Sequence, residues 1–272
     1  MIFFSPAKIN IGLQILEKRP DGFHNLQSVM VPTGLCDILE IHMNTNKGPE
    51  IQFTQSGLRF PSYLEDNLCL KAWHLFSREV PLPPVQMHLH KQIPVGAGLG
   101  GGSSNASVTL LGLNKLSGNP LKKEELTKLA EILGSDCPFF LNQVPMLMEG
   151  RGELLSPVRL RLEGYYLVLL FPKIHVSTAD AYQGVSPRIP ERYLRALLQE
   201  PLSEWRGLIT NDFESSVFTK YPRIQNIKQQ LYAQGAVYAS MSGSGSSLYG
   251  IFDKRPSFPD ELRRYVIWEG PI

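Results

Sequence analysis

Residues 85–116 read VQMHLHKQIPVGAGLGGGSSNASVTLLGLNKL, and this stretch decides the predicted fold. Side chains alternate over residues 85–91 with a period of two, which predicts a half-buried strand. Pro94 ends the strand, and five glycines follow within residues 96–102. From Ser103 the apolar residues recur at spacings of three and four, which predicts a helix. The stretch therefore predicts a strand, a glycine-rich turn and a helix.

The glycine-rich turn has the physical properties of an anion site. The first residues of a helix carry N–H groups with no partner inside the helix. They also lie at the positive end of the helix dipole. Glycines before them let the backbone approach a ligand closely and adopt a positive φ. These properties favour a bound phosphate, although a plain structural turn is the alternative.

Two common nucleotide motifs fit this turn poorly. No Gly-Lys-Ser or Gly-Lys-Thr closes it, so it is not a Walker P-loop. Gly96, Gly98 and Gly101 do satisfy GxGxxG, which would suggest a dinucleotide-dependent oxidoreductase. A Rossmann unit, however, returns from its first helix to a parallel strand. Here a second helix is predicted from about Pro120, with Asn119 as its N-cap, so the oxidoreductase is disfavoured.

Composition limits the class of protein. The chain has 272 residues, 43% of them hydrophobic and 19% charged, as expected of a globular enzyme. A net charge of +2 is too balanced to indicate a nucleic-acid partner. The longest apolar run, residues 165–171, is too short to cross a bilayer, and the N-terminus lacks the apolar stretch of a signal peptide. Three scattered cysteines predict reduced thiols in a cytoplasmic protein, without metal-ligand spacing.

The N-terminal segment SPAKINIGLQI, residues 5–15, alternates cleanly and predicts a strand. Lys8 and Asn10 fall on its polar face, about 6.6 Å apart along the strand. They could contact one small ligand together. The alternative is a solvent-facing edge strand, in which lysine discourages aggregation.

Asp136 lies between a glycine and the apolar run PFFL, residues 138–141. It could cap a short helix that begins at Cys137. It could instead be a partly buried carboxylate, which needs a partner, and Lys8 is the candidate.

Three other segments allow ordinary structural interpretations. Asn67 can cap a helix that follows it. Phe23 and His24 come after the Asp21-Gly22 turn and could simply pack. The Ser/Gly segment 242–246 predicts a hairpin turn, and it could also close over a ligand.

Taken together, these motifs resemble the GHMP kinases, which include galactokinase, homoserine kinase, mevalonate kinase and phosphomevalonate kinase. PVGAGLGGGSSNA, residues 94–106, is similar to their phosphate loop. Six other segments resemble the branch that phosphorylates 4-diphosphocytidyl-2-C-methyl-D-erythritol. They are SPAKINIGLQI at 5–15, DGFHNL at 21–26, GSDCPFFL at 134–141, EGRGE at 149–153, NDFE at 211–214 and MSGSGSSLYG at 241–250. They span nearly the whole chain in the expected order.

The resemblance implies an α/β fold of the α+β type, in two domains with the active site in the cleft between them. The N-terminal domain, 1–152, would carry the glycine-rich phosphate loop, and 153–272 would form a smaller C-terminal α/β domain. It also implies an ATP-dependent kinase of the non-mevalonate isoprenoid route, acting on the 2-hydroxyl of a small substrate with a cytidine diphosphate moiety. Mg²⁺ is expected with ATP, although its ligands are not evident from the sequence. The expected state is a monomer or weak homodimer, without nucleic-acid or membrane partners.

The resemblance also assigns site residues. Asp136 would be the general base, and Lys8 would orient the hydroxyl and stabilise charge. The implied ATP-binding residues are Pro94, Val95, Gly96, Ala97, Gly98, Leu99, Gly100, Gly101, Gly102, Ser103, Ser104 and Asn67. The implied substrate-binding residues are Asn10, Phe23, His24 and Tyr182. Phe23 stands where the family often has tyrosine. A phenylalanine ring can still stack on a base, but it cannot make a hydroxyl contact.

Two alternatives stay open. One is a GHMP kinase for homoserine or mevalonate, which would not need the cytosine-binding residues Phe23, His24 and Tyr182. The other is a non-catalytic ATP-binding relative, which the presence of both Lys8 and Asp136 disfavours.

Overall fold

A computed structural model describes residues 1–44, 49–58 and 66–272. In chain order, the strands and longer helices of the described residues are β1 Ile2–Lys18, β2 His24–Met43, β3 Ile51–Gly57, α1 Leu68–Glu79, β4 Val85–Lys91, α2 Gly101–Leu116, α3 Lys123–Leu133, α4 Cys137–Phe140, β5 Met146–Glu149, β6 Leu154–Pro157, β7 Tyr166–Leu170, α5 Thr178–Gln183, α6 Leu194–Leu197, α7 Trp205–Leu208, α8 Phe213–Lys220, α9 Pro222–Ala233, β8 Tyr238–Met241, β9 Leu248–Phe252, α10 Asp260–Arg263 and β10 Val266–Pro271. None of these described helices is long and apolar enough to cross a membrane.

The chain forms two compact units built from interleaved segments. The first unit comprises Met1–Ala7, Leu35–Val95 and Gly100–Gln143, and the second comprises Lys8–Gly34, Gly96–Leu99 and Val144–Ile272. Strands β1 and β2, of 17 and 20 residues, are long enough to contribute residues to both units. The predicted domain boundary between residues 152 and 153 stays a prediction.

In the first unit, helices pack on a sheet of β3, β4 and the C-terminal part of β2. β4 pairs in parallel with β3 and antiparallel with β2. The predicted alternation over 85–91 is confirmed, since every second side chain of β4 is buried. The buried side chains join apolar residues of α1, α2 and α3, among them Phe76 and Leu110, in one core. This core fixes the strand before the glycine-rich turn and the helix after it.

The connection from α2 to α3 contains no strand, so the predicted absence of a Rossmann unit is confirmed. α2 begins at Gly101, two residues before the predicted start. The predicted N-cap Asn119 is wrong, because α3 begins at Lys123 and Lys122 occupies the cap position. Asn119 instead has a φ of 59°. Asn114 makes side-chain hydrogen bonds with both the N–H and the carbonyl of Leu121, which extends the turn between the helices.

The second unit contains two sets of strands. The N-terminal part of β2 pairs with β5, and β5 pairs with β6. A separate antiparallel sheet has the strand order β10-β7-β9-β8. The predicted hairpin is confirmed, because β8 and β9 pair with Met241 opposite Leu248 and the Ser/Gly turn lies between them. Helix α9 packs on both strands of this hairpin.

Candidate active site

The glycine loop, residues 94–104, depends on three left-handed residues. The φ values of Gly96, Gly98 and Gly100 are 66°, 77° and 69°, a region that side chains other than glycine rarely adopt. Gly100 directly precedes α2 and has no side chain with which to cap it. The N–H groups of the first helical turn are therefore left to water or to a ligand, as expected of an anion site.

The turn between β8 and β9 holds the central residues of the glycine loop. Ser242 Oγ donates a hydrogen bond of 2.9 Å to the carbonyl of Gly98, and Ser247 N donates one of 3.1 Å to the carbonyl of Ala97. A Cβ added at Gly98 would lie only 2.1 Å from the carbonyl oxygen of Ser242. Gly98 is therefore needed both for its φ and for this close approach. The Ser/Gly turn supports the loop in addition to closing its hairpin.

Lys8 and Asn10 are buried, with exposed fractions of 5% and 2%. Lys8 Nζ donates a 2.6 Å hydrogen bond to Asn10 Oδ1, and Asn10 Nδ2 donates one of 2.8 Å to Ser28 Oγ. The interpretation as a solvent-facing edge strand is therefore wrong. The backbone N–H of Lys8 also donates to the carbonyl of Leu99, 3.0 Å away, which ties this strand to the glycine loop.

Gly243 leaves space beside the Lys8 ammonium. A Cβ at this position would lie 3.6 Å from Lys8 Nζ and 3.3 Å from Asn10 Oδ1. Its φ of 56° is also in the region that favours glycine. A Cβ here would therefore press on the amide oxygen of Asn10, the atom that accepts the hydrogen bond from Lys8.

Asn211 and Glu214 shape the same turn, and sequence reasoning gave them no role. Asn211 Nδ2 donates to the carbonyls of Met241 and Gly243, at 2.9 and 2.8 Å. Glu214 Oε1 accepts from the N–H of Met241 at 2.9 Å and from the hydroxyl of Ser240 at 3.0 Å. The NDFE motif, residues 211–214, was the only sequence signal for them.

Asp136 precedes α4, a short helix that packs on α2. The predicted helix from Cys137 is confirmed, and Asp136 occupies its N-cap position, but its side chain makes no capping hydrogen bond to this helix. Ser107 Oγ donates a 2.7 Å hydrogen bond to the carbonyl of Cys137. Burial raises the pKa of the Cys137 thiol to about 11, against the lowering effect of hydrogen bonds to Ser103 and Ser107. Because Ser103 reaches Cys137, the segment that carries Asp136 lies beside the first turn of α2.

Asn67 is the N-cap of α1, as predicted. Its Oδ1 accepts a 2.8 Å hydrogen bond from the N–H of Cys69. The next residue, Leu68, lies against the loop, because its Cδ1 would be 3.4 Å from a Cβ at Gly102. Helix α1 therefore begins beside the glycine loop, and a contact of Asn67 with ATP stays a prediction.

Two of the predicted cytosine-binding residues, His24 and Tyr182, belong to one aromatic cluster. The rings of His24 and Tyr182 are stacked, with centroids 5.0 Å apart and an angle of 25° between planes. Phe213 packs edge-on against Tyr182 at 4.7 Å, and burial raises the pKa of the Tyr182 hydroxyl. Phe23 is 57% exposed, and the Arg151 guanidinium lies 5.2 Å from its ring centroid. Sequence reasoning missed Phe213 and Arg151, which follow from tertiary packing.

The described residues contain no group of three or more His, Cys, Asp or Glu side chains that could hold a metal ion. Mg²⁺ in kinase sites needs only one or two carboxylates, because phosphates and water complete its coordination. Asp136 and Ser103 are both partly exposed; Asp136 directly precedes Cys137 in the chain, and Ser103 hydrogen-bonds the Cys137 thiol. Both side chains carry oxygen donors of the kind that Mg²⁺ binds, and the binding of Mg²⁺ here stays a prediction.

The chain matches two family profiles in consecutive order. One, described as "GHMP kinases N terminal domain", covers residues 67–149, and the other, described as "GHMP kinases C terminal", covers residues 193–266. The predicted α/β fold of this family is thereby confirmed.

Similar proteins carry consistent names. A Bacteroides fragilis protein named 4-diphosphocytidyl-2-C-methyl-D-erythritol kinase is 48% identical over 93% of this chain and 92% of its own length. A Parabacteroides distasonis protein of the same name is 42% identical over the full length of both chains. A solved structure titled 4-(cytidine 5'-diphospho)-2C-methyl-D-erythritol kinase is 32% identical, covers 97% of this chain and 93% of its own, and has a TM-score of 0.80. The chain belongs to the GHMP kinases.

Proposed function

We propose that the protein transfers the γ-phosphoryl group of ATP to the 2-hydroxyl of 4-diphosphocytidyl-2-C-methyl-D-erythritol, giving the 2-phosphate and ADP in the non-mevalonate route to isoprenoid precursors. The observations that carry the choice of substrate are the stacking of His24 on Tyr182 and the exposed ring of Phe23. Homoserine and mevalonate contain no base to stack on such rings. The names of the similar proteins agree with this choice.

ATP is the co-substrate of this kinase family, and its phosphates are assigned to the glycine loop. The left-handed glycines allow close approach, and the N–H groups at the start of α2 supply donors. Phosphoryl transfer has a loose transition state, so positioning and charge stabilisation provide most of the catalysis. A loop held by hydrogen bonds from Ser242 and Ser247 provides such positioning. We assign Asn67 to the nucleotide as well, since α1 begins beside Gly102.

Asp136 is assigned as the general base that takes the proton of the substrate hydroxyl. Such a group typically contributes about 10²–10⁴-fold to the rate. Lys8 is assigned to orient that hydroxyl and to stabilise negative charge. Its ammonium is already oriented by the 2.6 Å bond to Asn10 Oδ1, so little freedom is lost when the substrate binds.

The cytidyl part of the substrate is assigned to Phe23, His24 and Tyr182. Phe23 and Tyr182 would stack on the base, His24 would hydrogen-bond it, and Asn10 would contact other polar groups. Base stacking on aromatic side chains is worth roughly 1–3 kcal/mol per base in nucleic-acid sites. An exposed ring such as Phe23 keeps a face available for this stacking.

Mg²⁺ is assigned to the ATP phosphates, water and one serine, Ser103, where it would neutralise phosphate charge. We further propose that the enzyme is a monomer or weak homodimer with no nucleic-acid or membrane partner. Its cytoplasmic location is inferred from Cys36, Cys69 and Cys137, all of which are free thiols. The boundary between residues 152 and 153 is proposed as the limit of the two family domains.

The experiment is an assay of ADP release by the purified protein across a panel of alcohols. The panel contains 4-diphosphocytidyl-2-C-methyl-D-erythritol, the same alcohol without its cytidine diphosphate, homoserine and mevalonate. We expect ADP release with the first compound alone. Release with homoserine or mevalonate would assign the other type of GHMP kinase, and no release with any alcohol would support the non-catalytic alternative.

A further inference from the structure

Asp37 on β2 holds the chain where it enters the glycine loop. The residue is 0% exposed, and its Oδ1 accepts the backbone N–H groups of Gln92 and Ile93 at 2.7 and 2.8 Å. These two residues come directly after β4 and directly before Pro94. One carboxylate oxygen therefore fixes the direction in which the loop leaves the sheet.

The second oxygen of Asp37 holds the chain where it leaves the loop. Asp37 Oδ2 accepts from Lys91 Nζ and, at 2.9 Å, from Asn105 Nδ2 in the second turn of α2. Lys91 Nζ also donates to Asn105 Oδ1 at 3.1 Å, which closes a ring of three side chains from β2, β4 and α2. Lys91 and Asn105 are as buried as Asp37, with exposed fractions of 2% and 3%.

This ring lies directly beneath the start of α2. A Cβ added at Gly101 would be 3.0 Å from Lys91 Nζ. The ammonium therefore lies under the helix end to which we assign the ATP phosphates, and Asp37 balances its charge. A buried ion pair of this kind adds little net stability compared with apolar residues of the same volume. Its effect is on geometry, because the three glycines at 96, 98 and 100 would otherwise leave the loop many conformations.

We propose that Asp37 is a positioning residue for ATP, which joins both ends of the glycine loop so that its amides are aligned before the nucleotide binds. The proposal rests on the proposed function in taking ATP as the ligand of the loop. Asp37 acts through Gln92, Ile93 and Asn105 and does not itself touch the phosphates.

The first test is Asp37→Asn. The asparagine amide has one oxygen and one NH₂ group in place of the two carboxylate oxygens. In one orientation the NH₂ group faces Lys91 Nζ and Asn105 Nδ2, and in the other it faces the N–H groups of Gln92 and Ile93. Either way a donor faces donors, and one end of the loop loses its hydrogen bonds. We expect at least a tenfold weaker affinity for ADP in calorimetry without the alcohol, and a KM for ATP that rises equally. The KM for the alcohol should change less than twofold, and amide hydrogen exchange over residues 92–104 should accelerate.

The second test compares two asparagines on one helix. Asn105→Ala leaves the ion pair of Asp37 and Lys91 intact but removes their hydrogen bonds to α2. We expect the Kd for ADP to rise at least threefold and amide hydrogen exchange over residues 101–104 to become faster. Asn114→Ala is the matched control, since Asn114 is also buried but holds Leu121 near the other end of α2. It should lower the melting temperature and leave ADP affinity unchanged.

The proposal is overturned if folded Asp37→Asn or Asn105→Ala binds ADP like the wild type, or if Asn114→Ala weakens ADP binding as much as Asn105→Ala does. If Asp37→Asn does not fold, the asparagine pair decides the question. Because ADP binding is measured without the alcohol, failure of this proposal is distinguishable from a wrong assignment of the substrate.

Discussion

Lys8 has its ammonium inside the protein, bonded to the amide oxygen of Asn10 rather than exposed to solvent. Polarity alternation alone predicted that these two side chains share one face of a strand. It could not predict their burial, because Ser28, the next member of the network, is 18 residues from Asn10. The predicted strand is therefore confirmed, whereas the burial of its polar side chains depends on tertiary structure.

At Asp136, replacement by asparagine tests the general base. Asp136→Asn removes the proton acceptor without changing the shape of the side chain, so we predict a fall in kcat of about 10²–10⁴-fold. ADP affinity should stay within a few-fold of the wild type. Asp253→Asn, at an exposed aspartate after β9, is the control and should keep full activity. Undiminished turnover of Asp136→Asn would remove Asp136 from the mechanism.

Phe23 and Tyr182 are tested separately by alanine. Loss of a stacking ring worth roughly 1–3 kcal/mol should raise the KM for the cytidyl substrate by about 5- to 150-fold. The KM for ATP should change little, since these rings are assigned to the cytidyl nucleotide. Steady-state kinetics with each substrate varied in turn gives both values. A parallel rise in the KM for ATP would mean that the rings face the other nucleotide.

The contact between the glycine loop and the turn after β8 is tested by Gly98→Ala. The new Cβ must move away from the Ser242 carbonyl, 2.1 Å away, and this separates the loop from the turn after β8. We predict at least a tenfold loss of ADP affinity, measured by calorimetry. Gly118→Ala is the matched control, because Gly118 has a similar φ of 82° but nothing within 4 Å of its Cβ. The control should cost about 1–2 kcal/mol of stability and leave ADP affinity intact. Equal ADP affinity in both variants would contradict the role given to this contact.

Strand β10 offers a test of pH dependence. Hydrogen bonds from Arg263 and then Arg255 hold the pKa of Glu269 below its usual value of 4.5. A carboxyl group whose pKa is lower in the folded state contributes stability above its unfolded pKa and loses it as the pH falls through the folded value. Wild-type protein should therefore lose stability below about pH 4.5 more steeply than Glu269→Gln.

Urea unfolding between pH 3 and 7 measures this difference, which we expect to stay below about 1 kcal/mol because both arginines are solvent-exposed. Glu261→Gln, at an exposed carboxylate on α10, is the control and should follow the wild-type profile. Identical profiles for wild type and Glu269→Gln would show that this cluster does not stabilise β10.

Elements were predictable from sequence where local rules decide them. The strand over 85–91, the helix after the glycines and the hairpin around 242–246 follow from periodicity and turn residues. The start of α3 was missed, because Asn114 holds Leu121 in the turn and moves the helix start to Lys123. A hydrogen bond between a side chain and a distant backbone group produces no periodic pattern of apolar residues, so the sequence does not reveal it.

At the scale of the whole molecule, the family was predictable but the division into compact units was not. Seven motifs in the right order indicated a GHMP kinase, and the two family profiles confirm it. The units interleave because β1 and β2 contribute to both, and composition gives no sign of this. Asp37, Arg151 and Asn211 were also missed, since their partners are distant in sequence and only the folded chain brings them together.

We propose above that this kinase phosphorylates the 2-hydroxyl of an alcohol that it recognises by its cytidine diphosphate. Phosphorus NMR of the protein with ATP and 4-diphosphocytidyl-2-C-methyl-D-erythritol tests it most directly. We predict a new phosphomonoester resonance on the tertiary 2-hydroxyl and one ADP for each product, both formed at least 100-fold more slowly by Asp136→Asn. Consumption of ATP without that resonance would contradict it.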